Sequence, residues 1–197
     1  MPELPSVIKM KRSLQSIIGE KIQSIKIKED DRLKKVDLGV ENETIDDIVV
    51  KGKKLIFVLS DGYIMTSFGL FGEWAFKKDK YTTMSIDLYS GNVIYFNDKT
   101  HFGKVEKMKT LDDLNIGKTY LEISFKEFKD AIKMKPRMQL KNFLADQSIF
   151  SGLGRRLISD IFKRIDINSS IQMNQLSSGD TKQLFTAIQD ALENYSL

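Results

Sequence analysis

Apolar positions change their spacing along this chain, and the change divides it. Leu4, Val7, Ile8, Leu14, Ile17 and Ile18 fall at helical spacing, and Gly19 suits the end of such a helix. From Lys21 to about Met108 the pattern shortens into β-like runs, with Ile25 and Ile27 alternating with lysines. Residues 55–59, the turn Ser60-Asp61-Gly62 and Tyr63-Ile64-Met65 predict a hairpin. Residues 84–88 and 93–96, around Ser90-Gly91-Asn92, predict a second. Many short strands with turn punctuation predict a β-sandwich.

After about Lys109 the spacing becomes helical. Phe125, Phe128 and Ile132 mark one helix, residues 138–145 a second and residues 157–165 a third. Leu184, Phe185, Ile188, Ala191 and Leu192 mark the last, with Ser177 or Ser178 placed to cap it and Asp180 suiting its N-terminus. The expected class is α+β: an N-terminal helix plus an antiparallel β-sandwich over 1–112, then a helical domain over 113–197.

Composition removes several function classes. No apolar run approaches the 18 or so residues of a membrane span, and the N-terminus lacks a secretory layout because Lys9, Lys11 and Arg12 interrupt it. The chain has no cysteine and one histidine, His101, which argues against a thiolate or histidine-built metal site. A soluble intracellular protein, in the cytoplasm, fits best. The net charge of +4 is unevenly spread: residues 118–164 hold eleven Lys/Arg against five Asp/Glu, a net of +6, leaving −2 elsewhere. A basic half joined to a near-neutral one suits a polyanionic partner, although a solvated charged surface gives the same count.

Candidate chemistry begins at the N-terminus, Met1-Pro2-Glu3-Leu4-Pro5. Initiator methionine is normally trimmed before proline, which would free the Pro2 amine beside the Glu3 carboxylate. An α-amine titrates near pH 8, so much of it is nucleophilic at neutral pH, and a neighbouring carboxyl can move protons. Proline is also a common helix start. Lys51-Gly52-Lys53-Lys54 precedes an apolar run and suits a phosphate contact, or a solvated hairpin turn. Gly152-Leu153-Gly154-Arg155-Arg156 joins two helices; its backbone N–H groups at a helix start, with two arginines, could hold phosphate, or form a plain helical hairpin. On local sequence alone, Leu70 in Phe68-Gly69-Leu70-Phe71-Gly72 and Phe102 in Asp98-Lys99-Thr100-His101-Phe102-Gly103 read as ordinary core.

Together these segments resemble, in order, the formamidopyrimidine-DNA glycosylase/endonuclease VIII family from residue 1 to about 195. Residues 143–154 look like its helix–two-turn–helix element. The resemblance implies catalysis by Pro2, Glu3 and Lys53, with Pro2 attacking C1′ of a flipped-out damaged nucleotide and strand cleavage following. It implies DNA contacts by Leu70, His101, Phe102, Gly154, Arg155 and Arg156, the partner being damaged double-stranded or locally unpaired DNA. The resemblance adds the expectations of no metal or cofactor and of a monomer; in a bacterium the protein would sit at the nucleoid.

The departures are specific. Thr100 and His101 replace the family's two arginines, Arg155 stands at its usual asparagine, and Ser6 stands where glutamate is frequent. The sequence stops at Leu197, where the family's β-hairpin finger would follow, so a short member without that finger is expected. A non-catalytic DNA-binding member of the same fold and a structured-RNA-binding protein remain the alternatives.

Overall fold

Helix α1 (Leu4–Ser13) carries proline in its first turn, where a missing N–H breaks no intrahelical bond. The computed structural model describes residues 2–28, 38–112 and 114–196. Met1, Asp113 and Leu197, on which methionine removal, the domain boundary and the chain's end bear, lie outside the described residues. The helix expected through Ile18 stops being α-helical at Ser13, whose hydroxyl donates to Met10 O (2.8 Å), and a 3₁₀ turn (Gln15–Ile17) follows. A serine that bonds its own helix backbone competes with continued winding.

Eight strands follow: β1 (Ile22–Ile27), β2 (Ile45–Lys51), β3 (Lys54–Leu59), β4 (Gly62–Ser67), β5 (Glu73–Ala75), β6 (Thr82–Leu88), β7 (Val93–Asn97) and β8 (Lys104–Met108). They form two antiparallel four-stranded sheets, ordered β1-β6-β7-β5 and β2-β3-β4-β8. Both expected hairpins form: Leu59 pairs with Gly62 across the β3–β4 turn, and β6 pairs with β7. Between the sheets lie Ile48, Phe57, Ile64, Trp74, Ile86 and Phe96, with Val7 of α1 and Leu14, just past its end, packed against them. Trp74 stands edge-on to Phe57 (5.5 Å between centroids), and its indole N–H donates to the buried Thr66 hydroxyl (2.9 Å).

The helical half comprises α2 (Phe125–Met134), α3 (Leu140–Ala145), α4 (Arg155–Arg164) and α5 (Ser178–Ser196). Ser124 and Glu127 form a capping box on α2, and Ser177 with Asp180 does the same before α5. Helix α3 begins two residues later than its spacing predicted, because Gln139 is extended and bridges to Gln172. Phe128, Phe143, Phe150 and Tyr120 make an aromatic core. Leu4 is buried in that core while Val7, one turn on, is buried in the sandwich, so α1 belongs to both. Among the described residues no helix is long and apolar enough to cross a membrane.

Candidate active site

Glu3 is buried, unusually for a carboxylate, because α4 starts against it. Its Oε1 accepts the N–H of Arg156 (3.1 Å) and its Oε2 accepts that of Leu157 (3.0 Å). These are orphan donors of the first turn of α4, and a carboxylate there also faces the positive end of the helix dipole. Gly154 precedes the helix, and a Cβ there would lie inside contact distance of Glu3 Oε1. Glycine at 154 therefore makes room for a carboxylate that comes from the very start of the chain. Each Glu3 oxygen keeps a second lone-pair direction, so one remains on each for a substrate proton or hydroxyl.

The loop that delivers those donors is fixed independently. Gln147 accepts the N–H of Gly152 (3.0 Å) and donates to Leu153 O (3.0 Å), bracing the turn between α3 and α4. Leu4 N–H donates to Gly152 O (3.2 Å), so the residue after Glu3 is tied to the same loop. The β2–β3 turn closes from the other side, its Gly52 packing against Ser151. Lys53, at that turn, is half-buried, and burial holds its ammonium below the usual lysine pKa while the charge of Glu3 acts the other way. Pro2, Glu3 and Lys53 thus converge where sandwich and helical half meet.

A cleft of about 720 Å³ opens beside this junction, lined by Pro2, Ser6, Lys9, Leu70, Phe71 and Arg156 among others. Trp74 sits in its wall, with its backbone N–H against the Met10 sulfur (3.2 Å). Leu70 is 44% exposed and Phe102 52%, so neither is core. The two loops touch: a Cβ on Gly69, which has φ +57°, would lie 2.8 Å from Phe102 Cβ. Asp98 shapes the second loop. Its Oδ1 accepts the N–H and hydroxyl of Thr100, its Oδ2 accepts Gly103 N–H (2.6 Å), and His101 is held at φ +54°.

The arginine pair divides. Arg156 lines the Pro2 cleft, whereas Arg155 lines a separate recess between α3 and α4 with Lys141, Asn142 and Lys163. One shared phosphate contact for both, as their adjacency suggested, does not fit a helix that turns about 100° per residue. The amides of Arg156 and Leu157, expected to face phosphate, are instead taken by Glu3. Gly154 is likewise buried. Sequence reasoning missed Gln147 and Ser151 as braces, and Phe71, Phe76 and Lys77 as cleft walls. Only the structure reveals these, since none stands in a distinctive spacing.

A sandwich and a helical half that meet at the chain's own N-terminus define the fold of the MutM (Fpg) proteins. The protein of that name from Thermus thermophilus superposes with a TM-score of 0.86 over 99% of this chain and 76% of its own, at 23% identity. The formamidopyrimidine-DNA glycosylase of Lactococcus lactis superposes at 0.84 over 98% and 81%, with 22% identity. Residues 1–105 match the model of the formamidopyrimidine-DNA glycosylase N-terminal domain. The chain belongs to the formamidopyrimidine-DNA glycosylase family. In sequence it is 27% identical to the Rickettsia conorii formamidopyrimidine-DNA glycosylase over 210 residues, covering 98% of this chain and 77% of that one. It is 28% identical to the Desulfitobacterium hafniense enzyme over 216 residues with the same coverage.

Proposed function

We propose that this protein is a base-excision DNA glycosylase with AP-lyase activity, acting through an N-terminal proline Schiff base. The observation that carries the reading is Pro2 on the wall of an open cleft with a fixed carboxylate one residue away. Once Met1 is removed, the Pro2 nitrogen lone pair attacks C1′ of a flipped-out nucleotide and the glycosidic bond breaks, its electrons leaving with the base. The Glu3 carboxylate takes the N–H proton of the resulting ammonium and passes it to the sugar ring oxygen; the ring opens as the nitrogen lone pair forms the C1′=N bond, an iminium remains on Pro2, and the departed base takes its proton from water. The iminium acidifies the 2′ protons; loss of one expels the 3′ phosphate and cuts the strand. Lys53 holds a backbone phosphate near C1′, Leu70 fills the vacated stack, and His101, Phe102 and Arg156 border the DNA, while the buried Gly154 and the outward-turned Arg155 shape and flank the helix start behind it. This chemistry calls for no cofactor.

We take residues 1–112 and 113–197 as the two domains, with DNA in the cleft between them and the protein acting as a monomer where chromosomal DNA is. The Lactococcus lactis relative has been crystallised bound to DNA containing an AP site, which supports that class of ligand. A second reading, a non-catalytic DNA-binding member, has one observation in its favour: capping α4 is by itself sufficient reason for a carboxylate at Glu3.

Borohydride added during incubation with an abasic-site duplex separates the two. The proposed reaction yields a covalent adduct that peptide mapping places on Pro2. An adduct on lysine, or none from protein whose mass shows Met1 to be absent, overturns it.

A further inference from the structure

The sandwich carries a second run of positive charge outside the cleft. Leaving β5, the chain passes Phe76 and Lys77 at the cleft wall, turns through Lys78, Asp79 and Lys80, and enters β6. The turn is rigidly built. Asp79 Oδ1 accepts Tyr81 N–H (2.6 Å), Asp79 O accepts the Thr82 hydroxyl (3.0 Å), and Asn97 donates to Lys77 O (3.1 Å). Asp98 N–H donates to Tyr81 O (3.0 Å), which joins the turn to the loop bearing His101 and Phe102. Lys80 Nζ and Lys99 Nζ stand 5.0 and 5.8 Å from the centre of the Tyr81 ring.

A ring face positions an ammonium without using its N–H donors, which stay available to an acceptor. Among the described residues no ion pair involves Lys78, Lys80 or Lys99, and all three are exposed. In the more basic helical half Lys118, Lys126, Lys133 and Lys163 are each paired with a carboxylate, while Lys129, Lys135, Lys141 and Lys182 are in no ion pair among the described residues. Below the turn lies a recess of about 500 Å³ on the outer face of the sheet, where Asp79 is the one acidic lining residue among the described residues. The half of the chain with the lower net charge therefore offers ammonium groups that are in no ion pair among the described residues and lie contiguous with the cleft.

We propose that Lys78, Lys80 and Lys99 form a phosphate track for the duplex arm that leaves the cleft past His101 and Phe102. The inference rests on the reading that the cleft takes DNA. Ammonium point charges suit the backbone and carry no base readout, so the track adds affinity and register but not lesion choice.

Fluorescence anisotropy with a duplex bearing a tetrahydrofuran abasic analogue tests it, using long arms and arms trimmed close to the analogue. K78A/K80A/K99A should flatten the slope of log Kd against log salt by about 2.7 on the long duplex, since each phosphate contact contributes about 0.9. On the trimmed duplex its slope should match wild type, and K78R/K80R/K99R should match wild type on both. Equal slopes for wild type and the triple alanine variant on long arms overturn the track, as does an equal loss on trimmed arms. Borohydride trapping on a trimmed abasic duplex is read alongside: no adduct from wild type whose mass shows Met1 to be absent refutes the catalytic reading while leaving the slope comparison intact.

Discussion

Glu3→Gln is the substitution in which the structure changes what a chemical argument alone would expect. A glutamine keeps the shape and one carbonyl oxygen, so either the Arg156 or the Leu157 N–H retains its acceptor. The other N–H then faces the amide NH₂, a donor against a donor, in a site only 6% exposed. One charge-assisted hydrogen bond is lost, worth about 1.5–3 kcal/mol, along with a charge–dipole attraction of about 0.3–1 kcal/mol. The expected loss of stability is about 2–4 kcal/mol, or roughly 5–15 °C in the midpoint for a chain of this size. Urea unfolding measures it. Gly154→Ala should produce a loss of the same origin, because the added methyl displaces the same carboxylate, and the double variant should cost less than the sum. A Glu3→Gln protein within about 0.5 kcal/mol of wild type, the scatter of ordinary surface changes, would refute the capping argument. Measured well below its midpoint, the variant should still bind abasic duplex and fail to release a damaged base. Base release at the wild-type rate would leave Glu3 as a helix cap and nothing more.

Two further outcomes follow from buried polar groups. Burial lowers the Lys53 pKa, so between that lowered value and 10.5 the unfolded chain holds the proton more tightly than the folded one. Stability must then rise with pH through that window, and the wild type should gain on Lys53→Met as pH climbs to 10.5. Lys54, also lowered chiefly by burial, contributes equally to both proteins and cancels. A stability difference that stays flat with pH contradicts the burial of the ammonium. Tyr120 is fully buried, and its hydroxyl makes no hydrogen bond among the described residues; burial, then the charge of Asp146, raises its pKa. Tyr120→Phe keeps the ring contacts with Phe128 and Phe150 and should raise stability by about 1 kcal/mol in urea unfolding. A loss would mean that the hydroxyl has a partner such as a buried water.

The local code was legible where one segment determines its own structure. The β3–β4 and β6–β7 hairpins, the caps before α5 and the switch from strands to helices all follow from spacing and turn residues. Strands β2, β5 and β8 were not individually legible. Glu73–Ala75 is too short to show alternation, and β8 runs Lys-Val-Glu-Lys-Met, with only Val105 fully buried. At the site, the motif strings pointed to Pro2, Glu3 and Lys53, but not to how they meet. The reason Gly154 is glycine lies at Glu3, and no spacing within either segment carries a contact between the chain's start and its fourth helix. The same holds for Arg155 and Arg156, adjacent in sequence yet turned to different recesses by the helix they begin.

That long-range contact also bears on how the N-terminal amine proposed as nucleophile would be held in place. Chain ends normally fray, because nothing opposes their conformational entropy. Here the first described residues are opposed from three directions within a few positions of Pro2. Glu3 is bound through both oxygens to α4, Leu4 through its N–H to Gly152 and through its side chain to the helical core, and Val7 to the sandwich core. Any loosening of the sandwich against the helical half must pull on α1, since α1 is buried in both. The position of Pro2 in the cleft is therefore coupled to the docking of the two halves. Under the proposed function, that coupling would hold the Pro2 amine against a nucleotide flipped out of a duplex lying between the two halves.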